Sequence, residues 1–372
     1  MKRSKINLYS ILITLAILML QQTAVAQSAY KESSNSFARY TQSGDMKNLQ
    51  EAKKQIDKAY KTKRDSASTR VNIMRALIYS SLAYIDSNRT VGYDKDPIDE
   101  TYHSLELINA KNNYYGSEIR YVKQNLKAAL IHQANKALNE NEFDQAYSSF
   151  SRVHKLMPNN SEVLNNLALM AFQADKYEES IEYYKQILNA EWASPEHYQQ
   201  LAEIYKRSEN LQEQINVLEE GSQRFPDSKA LIFELVDLYA KNKIYGALIN
   251  RIDKALNFEP ENIDLLYLAG FANQKQKNTE KAQRYYEQII SLDQNNYEAN
   301  LALGLIALNK YLKDEEDYET QYEAQDYLLK ANEIRPYEVN ALRSLALYYE
   351  KSGDEVQLDR VNLLLNQLTN NL

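Results

Sequence analysis

Lys229–Pro260 reads KALIFELVDLYAKNKIYGALINRIDKALNFEP, and the spacing of its apolar residues decides the fold. Leu235, Val236 and Tyr239 share one face of a 3.6-residue helix, and Ile252 and Ala255 share a face of a second. Pro260 has no N–H and cannot continue that second helix, so it ends the unit. The interval from Pro226 to Pro260 fits twice between Pro158 and Pro226, and Pro336 ends a later segment. A fixed period of roughly 20 to 50 residues marks a repeat architecture, in which each helical pair buries its apolar face on its neighbours.

Seven consecutive windows start at Lys127, Ser161, Pro195, Lys229, Ile263, Tyr297 and Val339, and all but the last of the steps between them equal the Pro226–Pro260 interval. Positions 4, 7, 8 and 11 of a window form one helical stripe, and positions 20, 24 and 27 form a facing stripe on the next helix. Small residues at 8 and 20 let the two helices approach. The window from Pro195 carries Leu201, Ala202, Tyr205, Leu218 and Pro226, and that from Ile263 carries Gly270, Ala282, Tyr286 and Ile289. These residues resemble the tetratricopeptide repeat, whose pattern is L-G-x-x-Y, then A-x-x-x-F, then P. The resemblance implies an all-α, right-handed superhelical solenoid of antiparallel helix pairs, with about nine repeats of which seven are clear. It also implies a concave groove lined by positions 2, 5, 9 and 12 of the first helices.

Trp192 and Gln294 stand where proline is expected, so the turns there need another means of closure. The window from Tyr297 is eight residues too long, with the excess inside 309–323, and a lengthened first helix or a helical protrusion is expected. Residues 27–126 hold divergent helical pairs. Ala52, Ile56 and Ala59 have the spacing of a second helix, and helices over Ala67–Tyr84 and Ile98–Ala110 are expected around a loop insertion at 86–97. Asp94, Asp96 and Asp99 there invite a calcium reading. A helix-loop-helix calcium site needs glycine sixth and glutamate twelfth, and this segment has Asp99 and Leu105, so a solvated loop is the expectation.

Residues 1–26 have the three parts of a secretory signal peptide: Lys2, Arg3 and Lys5, an apolar run Leu8–Leu20, and Ala24-Val25-Ala26 as a cleavage site before Gln27. Removing this segment takes the net charge from -7 to -10, which argues against nucleic acid and anionic membrane as partners. With no cysteine there is neither a disulfide framework nor a thiol for a lipid anchor. A periplasmic or secreted protein without a membrane span in its mature chain is expected, monomeric or weakly oligomeric.

Chemistry-bearing motifs are absent from the sequence. His103, His132, His154 and His197 are dispersed, and no phosphate loop or nucleophile elbow occurs. No catalytic residue, cofactor or metal is therefore expected. Of the 30 tyrosines, Tyr205, Tyr239 and Tyr286 hold packing positions. The groove positions lack the lysines that grip a C-terminal carboxylate in the family, and they turn apolar later in the chain. Phe233, Tyr267 and Leu301 hold the fifth position, and Phe271 and Leu305 the ninth. The helix around Asn300–Leu308 is apolar all round, leaving Leu301, Leu305 and Leu308 for a partner, or for burial beneath the insertion or by tight superhelical curvature. A non-catalytic envelope scaffold binding a protein or peptide in this groove is expected. The alternative is a glycan-binding protein or enzyme with a site in the Tyr- and acid-rich insertions.

Overall fold

The computed structural model describes residues 27–61, 63–108, 113–158 and 160–370, so the expected signal segment lies outside the described residues. Among them all regular structure is helical. The chain divides into two units, one ending at Trp192 and one beginning at Ala193.

In the first unit, residues 27–43 form α1 and are followed by α2 (Met46–Ala59), the short α3 (Lys63–Ser66), α4 (Thr69–Ile85) and α5 (Pro97–Glu106). Then come α6 (Gly116–Asn139), α7 (Phe143–Leu156), α8 (Ser161–Gln173) and α9 (Tyr177–Leu188). Ala52, Ile56 and Ala59 are all buried on α2, and Ser33 of α1 donates to the Ala52 carbonyl at 2.8 Å. α5 begins on the Asp96 side chain, which accepts from the Ile98 N–H, with Pro97 in the first turn. That arrangement uses proline where its missing donor costs nothing. α6 is 24 residues long and starts well before Lys127. Val122, Leu126, Ala129 and Leu130 pack into the cluster built on α2 and α4. Ala134 and Ala137, at its other end, pack against Ala146 and Phe150 of α7 and Leu167 of α8. One helix thus serves two pairings.

The second unit comprises α10 (Pro195–Arg207), α11 (Leu211–Arg224), α12 (Lys229–Lys241), α13 (Tyr245–Phe258) and α14 (Ile263–Lys275). It continues with α15 (Thr279–Leu292), α16 (Tyr297–Tyr311), α17 (Tyr318–Ile334), α18 (Val339–Ser352) and α19 (Glu355–Asn370). Within a pair the helices touch at residues without side chains. A Cβ on Gly270 would stand 2.7 Å from the Tyr286 ring, and one on Gly304 would stand 2.8 Å from Leu328. In α10 and α11 the roles are exchanged: Gly221 of the second helix receives Tyr198 of the first, with 2.7 Å to its ring. Tyr198 and Tyr286 are among the largest fully buried side chains, each burying apolar area worth roughly 1.5–3 kcal/mol.

Two local devices recur with the repeat. The first helices start on Asn160, Ser194, Ser228, Asn262 and Asn296, one per period, which satisfy backbone N–H groups that a helix start leaves unpaired. The turn between helices places Asn141, Asp175, Glu209, Lys243 and Lys277 in the left-handed region, again at the spacing of the repeat. The following N–H then reaches back five residues: Lys176 to Ala171 (2.8 Å), Asn210 to Tyr205 (2.8 Å), Ile244 to Tyr239 (2.9 Å) and Asn278 to Asn273 (2.9 Å). This is the Schellman closure. Gly353 makes it between α18 and α19, with Asp354 bonded to Tyr349 at 3.1 Å.

Where Gln294 replaces proline, Asp293 accepts from the Asn295 N–H at 3.0 Å and Asn300 donates to the Gln294 carbonyl at 3.1 Å. The extra length after Tyr297 is shared. α16 has 15 residues where α14 has 13, α17 has 17 where α15 has 14, and the turn between α16 and α17 is longer. The pair is lengthened as a whole, without a separate protrusion.

Candidate functional site

The loop 86–97 folds around Asp86. Its carboxylate accepts from the Thr90 N–H (2.7 Å) and hydroxyl (2.6 Å), the Val91 N–H (2.9 Å) and the Tyr93 hydroxyl (2.8 Å). Burial works to raise the Asp86 pKa, but these donors together hold it below the usual range. Asp96 caps α5 and pairs with Arg89 at 2.8 Å, and Asp99 pairs with Arg152 at 2.7 Å. Two of the three carboxylates of the calcium reading, Asp96 and Asp99, are thus turned toward protein donors. Among the described residues no group of three or more His, Cys, Asp or Glu is placed to hold a metal ion.

The first unit's most charged interior lies between α2, α4 and α5. The Arg75 guanidinium pairs with Asp57 at 2.5 Å and with Glu100, and it lies between the Tyr60 ring (4.3 Å) and the Tyr79 ring (4.6 Å). Arg75 and Glu100 are buried, and Tyr79 donates to Asp57 at 2.9 Å. A buried pair of this kind is costly to break, because removing one partner strands the other charge. It joins three helices, and the largely exposed Lys95 pairs with the other Glu100 oxygen at 3.2 Å.

The apolar residues of the second unit form the other candidate. Tyr267 and Phe271, one turn apart on α14, stack with ring centroids 6.2 Å apart and planes 18° apart. Tyr245, at the start of α13, meets Phe271 edge-on at 5.7 Å. Burial, and then the Glu298 carboxylate of α16, raise the Tyr267 phenol pKa. Both aromatic residues keep part of their surface in solvent, as do Leu301 and Leu305 of α16 and Phe233 of α12. Leu301 also leans on the Tyr297, Ala331 and Ala341 cluster.

Leu308 is a different case. It is 2 % exposed and packs with Tyr311, Leu328, Leu342, Leu345 and Tyr348. Apart from Tyr311 on α16 itself, the lengthened α17 and the following α18 supply those neighbours, so Leu308 is core and leaves the groove set. Leu305, one turn earlier, is not part of the cluster around Leu308 and keeps part of its surface in solvent, while Leu301, two turns earlier, packs partly against it.

Three contributors were not among the expected groove residues. Tyr245 falls just after the left-handed turn residue, so its direction depends on that turn. Lys275 and Lys229 place their ammonium groups 5.0 Å and 5.1 Å from the Phe271 and Phe233 ring centroids, within cation–π range. Farther along, Glu234 accepts from Gln199 at 2.8 Å. Burial is the main cause raising the Glu234 pKa, the Gln199 bond opposes it, and nearby Glu203 adds to it.

The crystal structure of MamA is 19% identical over 45% of this chain and 92% of its own, with a TM-score of 0.36. The C-terminal part of a TPR repeat-containing protein from Cytophaga hutchinsonii is 18% identical over 63% of this chain and 93% of its own, with a TM-score of 0.44. YrrB, described as a TPR protein with an unusual peptide-binding site, is 15% identical over 49% of this chain and 94% of its own, with a TM-score of 0.36. No curated protein matches the chain. No described helix is long and apolar enough to cross a membrane. The tetratricopeptide repeat family profile matches residues 120–320, more than half of the sequence, and with its helix pairs, small-residue contacts and periodic turns the chain belongs to that family.

Proposed function

We propose that this protein is a non-catalytic interaction scaffold of a bacterial cell envelope, and that it captures a partner polypeptide on the groove side of α12, α14 and α16. The observation that carries this reading is the partial exposure of Phe233, Tyr267, Phe271, Leu301 and Leu305 after the packing positions of the same helices are filled. Apolar side chains on adjoining helices offer an amphipathic segment the helix-in-groove mode of recognition. Export is supported by the composition of residues 1–26, and mass spectrometry of the chain from its host should find an N-terminus at Gln27. Retention of the uncleaved chain in the membrane after a high-salt wash would refute that part.

Changing Phe271 and Leu305 together to Asp tests the groove. Neither side chain is fully buried, so the helical circular dichroism should survive while capture of the partner from envelope extract is lost. Capture at the wild-type level would overturn the reading. Unfolding of the double variant would assign both residues to the core, which also removes them from a groove.

A further inference from the structure

The groove's charge points to the kind of segment it takes. The chain as a whole is acidic, with a formal net charge of -7. Yet the edge of the groove beside Phe271 carries lysines: Lys275 in the last turn of α14 and Lys243 and Lys277 in the turns that follow α12 and α14, while Lys241 in the last turn of α12 pairs with Asp237 at 2.5 Å. Two observations place this edge against the aromatic stripe. The Lys275 ammonium lies 5.0 Å from the Phe271 ring centroid, and Tyr245, two residues beyond Lys243, meets the same ring at 5.7 Å.

Helix polarity accounts for only half of these lysines. A cation in a last turn faces the negative end of the helix dipole, which explains Lys241 and Lys275. Lys243 and Lys277 lie outside their helices, at the left-handed turn residue. The same position holds Asn141, Asp175 and Glu209 in earlier pairs, so the turn geometry sets no requirement for a cation. Positive charge enters this position in the pair whose second helix begins with Tyr245 and in the pair that carries Phe271.

We propose that the occupant is an amphipathic peptide segment with an acidic edge. Its apolar side chains lie on Tyr267, Phe271, Leu301 and Leu305, and its carboxylates face Lys243, Lys275 and Lys277. This rests on the groove reading above. Exposed ion pairs of this kind select and orient a partner more than they hold it.

The test uses two synthetic helical peptides of about 18 residues, roughly 27 Å long at 1.5 Å per residue. They share one Leu/Phe face and differ in carrying Glu or Lys along its edge. Fluorescence anisotropy with the full chain should show the Glu peptide binding tighter by on the order of tenfold at about 50 mM salt, with the gap closing as salt screens the edge. A triple variant, Lys243→Glu, Lys275→Glu and Lys277→Glu, should reverse the order. Its fold is checked by circular dichroism, and Glu209 shows that the turn accepts a glutamate. Equal binding of the two peptides, or a preference for the Lys peptide, overturns the acidic-edge proposal and leaves the apolar groove standing. Binding of neither peptide overturns both. Equally tight binding of polyglutamate would assign recognition to the lysines alone and overturn the combined site.

Discussion

Gly270→Ala adds one methyl group at the closest approach of α14 and α15. The new Cβ would stand 2.7 Å and 2.8 Å from the Tyr286 Cε1 and Cζ atoms, whereas carbon atoms rest about 3.5–4.0 Å apart. The ring has to retreat by about 1 Å, and at 1 % exposure it has no free space to enter. Overpacking of this kind costs roughly 1–3 kcal/mol, while alanine's better helix propensity returns up to about 1 kcal/mol. Gly246→Ala on α13 provides the reference, since a Cβ there meets nothing within 4 Å. It should leave stability unchanged or raise it by up to about 1 kcal/mol. The two substitutions are chemically identical, so their difference isolates the steric cost, about 1–3 kcal/mol. Urea unfolding followed by far-ultraviolet circular dichroism, compared at the midpoint, measures it. Equal midpoints for the two variants would refute the close-contact argument.

Ala282→Leu, at a fully buried position of α15, should cost roughly 1–3 kcal/mol by the same steric logic, and an unchanged melting curve would place this helix in the wrong register. Gly353→Ala meets no neighbour but keeps φ near 76°, so it should cost about 1 kcal/mol through the backbone alone, and Glu209→Gly should raise stability by about 0.5–1 kcal/mol. Thermal unfolding that moves both in the same direction would contradict this. The buried Glu100 and the half-buried Glu234 should act oppositely with pH. Burial works to raise the Glu100 pKa, but the Arg75 hydrogen bond and charge hold it below normal, so its contribution is present at neutral pH and lost as pH falls through the folded value. Glu234 is raised, mainly by burial, so stability there grows as pH falls, and Glu234→Gln should flatten that part of the profile. Urea midpoints from pH 3 to 7 for Glu234→Gln and Glu100→Gln check both signs.

The array was legible because its signals are local and repeated. Gly270 opposite Tyr286 follows from a small residue at position 8 facing a bulky one at 24. The recurring Asn and Ser caps and the left-handed turn residues also carry the period, but glycine and proline mark neither of them in most repeats. The long reach of α6 was hidden because a helix serving two pairings has two overlapping stripes. Leu308 was misplaced for a related reason. Its burial depends on how far α17 and α18 extend, which no spacing within α16 reveals. The Arg75, Asp57 and Glu100 cluster joins residues far apart in the chain, and only the packing of three helices brings it together.

The exchange of glycine and tyrosine between α10/α11 and α14/α15 bears on recombination of the repeats. Helical pairs of one backbone shape invite the idea that any first helix could be spliced to any second. A chimera joining α10 to α15 would set Tyr198 against Ile289 and Ala202 against Tyr286, crowding the interface at both levels. The reciprocal chimera, α14 with α11, would set Leu266 opposite Gly221 and Gly270 opposite Leu218, leaving hollows at both. α10 and α14 are thus each keyed to their own second helix, so these two pairs cannot exchange single helices.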